Sequence, residues 1–287
     1  MRTNTSTATH LPQVDINPNS GGTPNSAALP AYAAELDAFH QAYVDDLRTL
    51  ITKVPLAATN RVIDIGCGDG FYARLFAERL HPPGSVVGID ADAEYLNLAR
   101  SRTPASTPVD VRFVQADWRS ASSLIEDRCD VVWCAQSLFS FAEPEAALKS
   151  MAKLAKPGGM VAVLENDTLH QLLMPWSSRM EMALRAAERE AFEQESEHAG
   201  KYYVGRRLPS VLAQAGLTPL GYCTQAIDRM APLAPALKKF LQSYLEKLYV
   251  RTGPFISNEL RNELADLIDP TSERYLVSQP HFTVTWL

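Results

Sequence analysis

Val62-Ile63-Asp64-Ile65-Gly66-Cys67-Gly68-Asp69-Gly70-Phe71 runs from an apolar stretch through an acid into three glycines at alternate positions. Such a run predicts a buried strand that turns sharply into a helix, with bare backbone exposed at the turn. A dinucleotide fingerprint would place its third glycine at 71, where this chain has Phe71, and it has no use for an acid two residues before the first glycine. A pyrophosphate seated at a helix N-terminus would be repelled by Asp64, whereas an ammonium or a sulfonium would be attracted.

Outward from this loop the chain alternates between β-branched runs and amphipathic segments. Strands are expected at 61–66, 85–90, 111–117, 129–136 and 160–166, with helices at 31–52, 71–80, from 94, near 120, and at 144–156. Pro144 suits the start of the last of these helices, and Pro157-Gly158-Gly159 predicts a turn into the fifth strand. Strands separated by helices imply a parallel sheet covered on both faces, with right-handed crossovers. The second half departs from simple alternation. Residues 168–200 read as one or two long polar helices, 207–216 as a helix, 217–228 as a strand, 235–250 and 257–268 as helices, and the final HFTVTWL as a strand.

The chain has 287 residues and a net charge of −6, ample for a sizeable core and without the electrostatic footprint of a nucleic-acid or anionic-membrane binder. No apolar stretch reaches the ~20 residues that span a bilayer, and the N-terminus lacks the pattern of a signal peptide. Residues 1–28, rich in Thr, Asn, Ser, Pro and Gly, are expected to form a disordered tail. The four cysteines, Cys67, Cys129, Cys134 and Cys223, form no CxxC pair and have no histidine at ligand spacing. Reduced thiols, a cytoplasmic location and no metal are the expectation. Cys67 reads as a small loop residue or a reactive thiol.

The motifs in sequence order carry a resemblance. Asp64-Ile65-Gly66-Cys67-Gly68-Asp69-Gly70 resembles the first motif of the class I S-adenosylmethionine-dependent methyltransferases. Asp90, ending the second strand, matches that family's ribose-binding acid. Asp117-Trp118, after the third strand, matches its adenine-side acid and aromatic, and Lys156-Pro157-Gly158-Gly159 matches the turn before its fifth strand. The resemblance is close over residues 55–165. It implies an α/β, doubly wound, seven-stranded and mostly parallel Rossmann-like sheet in the order 3-2-1-4-5-7-6, the last strand antiparallel. It also implies S-adenosylmethionine as cofactor, held by Asp64, Gly66, Cys67, Gly68, Asp90, Ala91, Asp117, Trp118 and Gln136. Residues 29–287 would then form the methyltransferase domain, with helical lid pieces at about 29–52, 168–204 and 230–272. Other readings stand beside these: Asp64 as a strand-end cap for the loop, Asp117 as a helix cap, Trp118 as core.

Methyl transfer from a sulfonium is an in-line displacement that depends on placement of the nucleophile, so no single catalytic constellation is required. Ala135-Gln136-Ser137-Leu138 stands where nucleic-acid amino-methylating relatives carry Asn/Asp-Pro-Pro-Tyr/Phe, and no acidic trio suggests magnesium. The cap, rich in Met, Trp and Tyr, predicts a pocket for a small, partly apolar acceptor. The sequence looks most like the ubiquinone/menaquinone-biosynthesis branch and its bacterial relatives in specialised metabolism, which leaves carbon, oxygen or nitrogen as the atom methylated and the oligomeric state open. Substrate-side candidates are Tyr32, Gln136, Asn166, His170, His198 and Tyr202, with Tyr43, Asp167 and Tyr203 nearby; His170 and His198 are the candidate bases. The alternatives are a cyclase or binding protein that holds the cofactor without transferring methyl, and a nicotinamide dehydrogenase.

Overall fold

The structure, a computed structural model, describes residues 32–125, 127–166, 172–195, 203–279 and 282–286. The expected tail at 1–28 lies outside the described residues. Five parallel strands form the central sheet: β1 (Arg61–Ile65), β2 (Ser85–Asp90), β3 (Asp110–Gln115), β4 (Cys129–Ala135) and β5 (Ala155–Leu164), in the order β3-β2-β1-β4-β5. β1 lies at the centre and is bonded on both sides, Ile63 opposite Val87 and Val132, Asp64 opposite Gly88 and Trp133. This placement explains why its residues after Arg61 are buried and why the run reads as continuously apolar apart from Asp64.

Alternation along the strands divides the core in two. Val62, Val86, Val131 and Trp133 face α1 (Ala33–Ile51), α2 (Phe71–Ala77) and α8 (Pro235–Thr252). Ile63, Ile65, Val87, Ile89, Val132 and Cys134 face α4 (Trp118–Leu124), α5 (Pro144–Leu154) and α7 (Val204–Gln214). Asp64 has the parity of Val62 and therefore projects toward the α1–α2 side. α3 (Ala93–Arg102) begins at Asp92, whose carboxylate accepts the Glu94 and Tyr95 N–H groups as an N-cap.

Two expectations are corrected. The helix predicted to reach Lys156 ends at Leu154, and β5 starts at Ala155. The Lys156–Gly159 segment is a bulge within that strand, since Cys129 pairs with Ala155 while Val131 pairs with Met160. Gly158 there takes a φ of +80°, and a side chain at Gly159 would meet the Asp130 carbonyl at 2.9 Å, so both glycines are needed for the bulge. The sheet order follows 3-2-1-4-5 as expected, but the later strands do not extend it.

Instead β6 (Leu172–Leu173), β7 (Ala226–Met230) and β8 (Phe282–Trp286) form a small antiparallel sheet in the order β6-β8-β7. Of the strand expected over 217–228, only its last residues pair; Leu220 and Tyr222 in the earlier part are exposed and provide no apolar face to bury. The buried Thr285 of β8 is hydrogen-bonded to the Tyr43 hydroxyl at 2.7 Å, which seats this sheet on α1.

The helical pieces expected as a lid are α1 in the first, α6 (Ser178–Glu195) in the second, and α8 with α9 (Asn258–Ile268) in the third. α1 and α8 pack on each other through Phe39, Tyr43 and Leu47 against Phe240, Leu241 and Leu245. A kink at Tyr43, whose φ and ψ are −122° and 16°, lets α1 follow this surface. Leu245 is fully buried where these elements meet. Leu245→Ala is expected to cost about 3 kcal/mol in urea unfolding, whereas Tyr222→Ala, at an exposed position, is expected to change stability by less than about 0.5 kcal/mol.

Candidate functional site

The turn from β1 to α2 places Gly66, Gly68 and Gly70 at φ of +70°, +51° and +76°, a region that side chains rarely enter. The Gly66 and Cys67 N–H groups donate to the Ile89 carbonyl at 2.8 and 3.0 Å, which ties the loop to the end of β2. At Gly66 a Cβ would come within 2.5 Å of the Ser137 Oγ, and that hydroxyl in turn donates to the Gly66 carbonyl at 3.1 Å. The glycine thus admits the loop that follows β4 to close contact.

Three aspartates surround this turn, each with different partners. Asp69 caps α2 by accepting the Phe71 N–H at 3.1 Å, is ion-paired with Arg102, and has Arg74 at 3.9 Å and the His40 ring at 3.8 Å. Asp90 accepts the Gly68 N–H at 2.8 Å with one oxygen and the Asp92 N–H at 2.9 Å with the other; burial holds its carboxyl above the ordinary range. Asp64 is 1% exposed, and its Oδ2 has no hydrogen-bond partner. Burial, followed by the charge of Asp90, pushes its carboxyl up to about 8. The Asp64 carboxyl, expected from sequence as a fixed negative charge, is thus shifted toward its neutral form.

A cleft of about 380 Å³ opens at the carboxyl ends of β1, β2 and β4 and beside the start of α4, where the strand order reverses. Gly66, Asp90, Asp117, Trp118, Ser137 and Phe141 line it. Asp117 caps α4 through the Arg119 N–H at 2.8 Å and also takes the Arg119 guanidinium at 3.1 Å. That guanidinium lies 4.4 Å over the Trp118 ring, and Trp118 packs 5.9 Å from Phe141. Both structural roles read from the sequence for Asp117 and Trp118, cap and packing, are present, and both residues also face the cleft. Ala91 lines the cleft as well. Cys67 is buried beneath the loop, and burial pushes its thiol well above the ordinary range, which removes the reactive-thiol reading.

Two residues just after strand ends, outside the lining of this cleft, bond to each other. Gln136 is the one described non-glycine residue with positive φ, +50°, and its side-chain amide donates to Asn166 Oδ1 at 3.1 Å. A left-handed glutamine at a strand end stores strain of the kind found at functional sites. Glu165 and the loop at 137–141 escaped the sequence reading. The Glu165 Oε1 accepts the N–H groups of Ser137, Leu138 and Phe139 at 3.1, 2.6 and 3.3 Å, and burial raises its carboxyl to about 8 against the pull of those bonds. The sequence signal was an acid ending the apolar run Met160–Leu164.

The other candidates separate. Tyr43 is a core residue, its hydroxyl satisfied by Thr285 and its ring packed on Phe39 and Phe240. Tyr32 is half exposed beside α8, with the Lys247 ammonium 4.7 Å over its ring. Tyr203 precedes α7 and is half buried. Asp167, His170, His198 and Tyr202 lie outside the described residues. Among the described residues no group of three His, Cys, Asp or Glu is arranged to hold a metal, and no helix is long and apolar enough to cross a membrane.

Comparison with known proteins agrees with this geometry. Residues 56–216 match the model of a methyltransferase domain family. The chain is 34% identical over 118 residues to a trans-aconitate 2-methyltransferase of Paracidovorax citrulli, covering 41% of this chain and 43% of that protein. It is 38% identical over 107 residues to the ubiquinone/menaquinone biosynthesis C-methyltransferase UbiE of Ectopseudomonas mendocina, covering 37% and 41%. The chain spans about half the length of the curated relatives it matches. Among solved structures, the YcgJ protein of Bacillus subtilis has the same fold at a TM-score of 0.52 and 16% identity, covering 85% of this chain and 95% of that one. With the matched segment spanning the glycine loop, Asp90, Asp117 and the loop after β4, the chain belongs to the methyltransferase domain family.

Proposed function

We propose that this protein transfers a methyl group from S-adenosylmethionine to a small, partly apolar acceptor. The observation that carries the reading is the cleft at the strand-order reversal, with a glycine backbone on one wall and Asp90 on the other. The residues present fit the cofactor. Asp90 keeps lone pairs beyond its two backbone bonds with which to accept the ribose hydroxyls. Trp118 and Phe141 provide flat apolar walls for adenine, and Asp117 an acceptor for its amine. Gly66 and Gly68 let the backbone approach the chain that links sugar to amino acid, with Cys67 between them as a small filler. The unpartnered oxygen of the buried Asp64 answers the ammonium.

When bound, S-adenosylmethionine supplies an electrophilic methyl on a cationic sulfur. The protein's part is to hold the acceptor in line with it and to exclude water. Gln136 and Asn166, bonded to each other just after β4 and β5, would orient a polar group of the acceptor. Glu165 fixes the loop that carries Gln136 and Ser137 by gathering three of its backbone N–H groups. A candidate general base lies in His170 or His198, and Tyr32 and Tyr202 are candidate walls of the acceptor space. The names of the relatives, trans-aconitate 2-methyltransferase and ubiquinone/menaquinone biosynthesis C-methyltransferase, both refer to small molecules and support that substrate class rather than a nucleic acid. The reading includes a cytoplasmic role in bacterial specialised metabolism; the four cysteines, all unbridged, accord with a reducing compartment.

Isothermal calorimetry with S-adenosylhomocysteine is expected to show saturable one-site binding. Asp90→Ala removes an acceptor of charge-assisted bonds and is expected to weaken that binding by ten- to a hundredfold, about 1.5–3 kcal/mol. Normal binding by this variant overturns the cofactor placement. With methyl-labelled S-adenosylmethionine and a fractionated bacterial extract, label is expected in the low-molecular-weight fraction and in neither the protein nor the nucleic-acid fraction. Label confined to macromolecules overturns the acceptor class.

A further inference from the structure

Beneath the glycine loop lies a group of buried polar atoms, of which the methyl-transfer reading uses only the Asp64 carboxyl. Asp64 Oδ2, the Trp133 Nε1–H and the Tyr72 hydroxyl are all fully buried, and none has a hydrogen-bond partner. They belong together: Trp133 is the cross-strand neighbour of Asp64 on β4, and the Tyr72 ring on α2 lies 5.5 Å from the Trp133 ring. Two donors and one acceptor left unmatched at one place cost free energy in the empty protein, and natural cores rarely tolerate this without a reason.

The charges around Asp64 leave it no counterion. On the loop stand Asp69 and Cys67; on β2, Asp90; on β4, Cys134; just after β5, Glu165; on α1, His40; on α2, Tyr72 and Arg74; on α3, Arg102. The two arginines are directed to Asp69, and Arg102 also meets Asp37 at 3.3 Å. His40 is stacked face to face on Phe71 at 3.9 Å, and burial lowers its imidazole to about 4, so it brings no positive charge at neutral pH. A buried carboxyl without a cation keeps its proton. An ammonium placed against it reverses that preference, because the opposite charge favours the carboxylate.

On the cofactor reading given above, we propose that Asp64 exchanges its proton for the cofactor's ammonium, so that binding expels one proton from the protein. The step balances: the O–H bond of the Asp64 carboxyl breaks, the proton passes to the buffer, and an N–H of the ammonium donates to the carboxylate. The Trp133 N–H and the Tyr72 hydroxyl, donors without acceptors in the free protein, border the charge so formed. The burial of Asp64 thereby makes the site selective for a cation, since a neutral ligand at this place would leave the proton where it is.

The sign follows by linkage. The free protein binds one proton more than the complex below the Asp64 pKa of about 8, so affinity rises with pH and levels off above that value. The test is calorimetry of the full chain with S-adenosylhomocysteine at pH 6.5 in phosphate, imidazole and Tris buffers, whose ionisation enthalpies differ. The slope of the observed enthalpy against the buffer enthalpy is expected to give close to one proton released, and the affinity to rise nearly tenfold from pH 6 to pH 7. Asp64→Asn is expected to bind more weakly at pH 8, with no dependence on buffer.

Binding whose enthalpy is the same in all three buffers overturns the inference and leaves the cofactor reading intact. No binding in any buffer overturns both. Proton release that persists in Asp64→Asn assigns the proton to another group and also overturns it. Should that variant fail to fold, carboxyl-carbon NMR of the ligand-free wild type labelled at aspartate decides. One resonance titrating near pH 8 supports the inference, and titration of every aspartate below pH 6 overturns it.

Discussion

The structure depends on how the chain leaves the central strand. At Gly66 the backbone turns out of β1 in a left-handed conformation, and two consecutive N–H groups close on the Ile89 carbonyl of the neighbouring strand. The next free N–H, that of Gly68, goes to the Asp90 carboxylate. The ends of β1 and β2 are thereby locked together at the point where the sheet changes direction, and α2 is launched from a fixed position. The other walls of the cleft are built against this corner. Ser137 reaches the Gly66 carbonyl from the loop after β4, and Glu165 holds that loop from the end of β5.

Around the corner the protein concentrates acids and gives each a different environment. Asp69 is neutralised by arginines and serves the architecture, joining α1, α2 and α3. Asp90 is satisfied by backbone N–H groups and still faces the cleft. Asp64 has neither cation nor solvent. Three like residues within one loop and two strand ends thus become an ion-paired anchor, a backbone-bonded acid at the cleft and a buried acid with a raised pKa, because pKa follows environment rather than residue type.

The second body of the molecule, the α1–α8 pair with the small antiparallel sheet, forms one side of the core rather than a separate lobe. Tyr43 shows why. Its ring packs into α8, its hydroxyl reaches β8, and its own backbone is bent out of helical geometry to do so. A residue that meets helix, sheet and kink together is a joint of the fold, and an aromatic at helical spacing gives no hint of that.

Much of the fold was legible because its signals are local. The apolar run before Gly66, the alternate glycines, Asp90 at a strand end and the Asp117 cap each act within a few residues, and Ile65, Gly66, Asp90 and Asp117 line one cleft. The order of the first five strands is the one that the family resemblance implied. Tertiary structure alone decided the rest, since it arises from residues distant in the chain. Glu165 acts on backbone N–H groups 26 to 28 residues earlier, the last strands pair away from the main sheet, and Tyr43 meets a partner 242 residues on. Most of all, the sequence by itself determined that a carboxyl stands at position 64. Only the fold decided that it is buried with no cation beside it and so has its pKa raised, because desolvation is a property of what surrounds a group and no spacing along the chain encodes it.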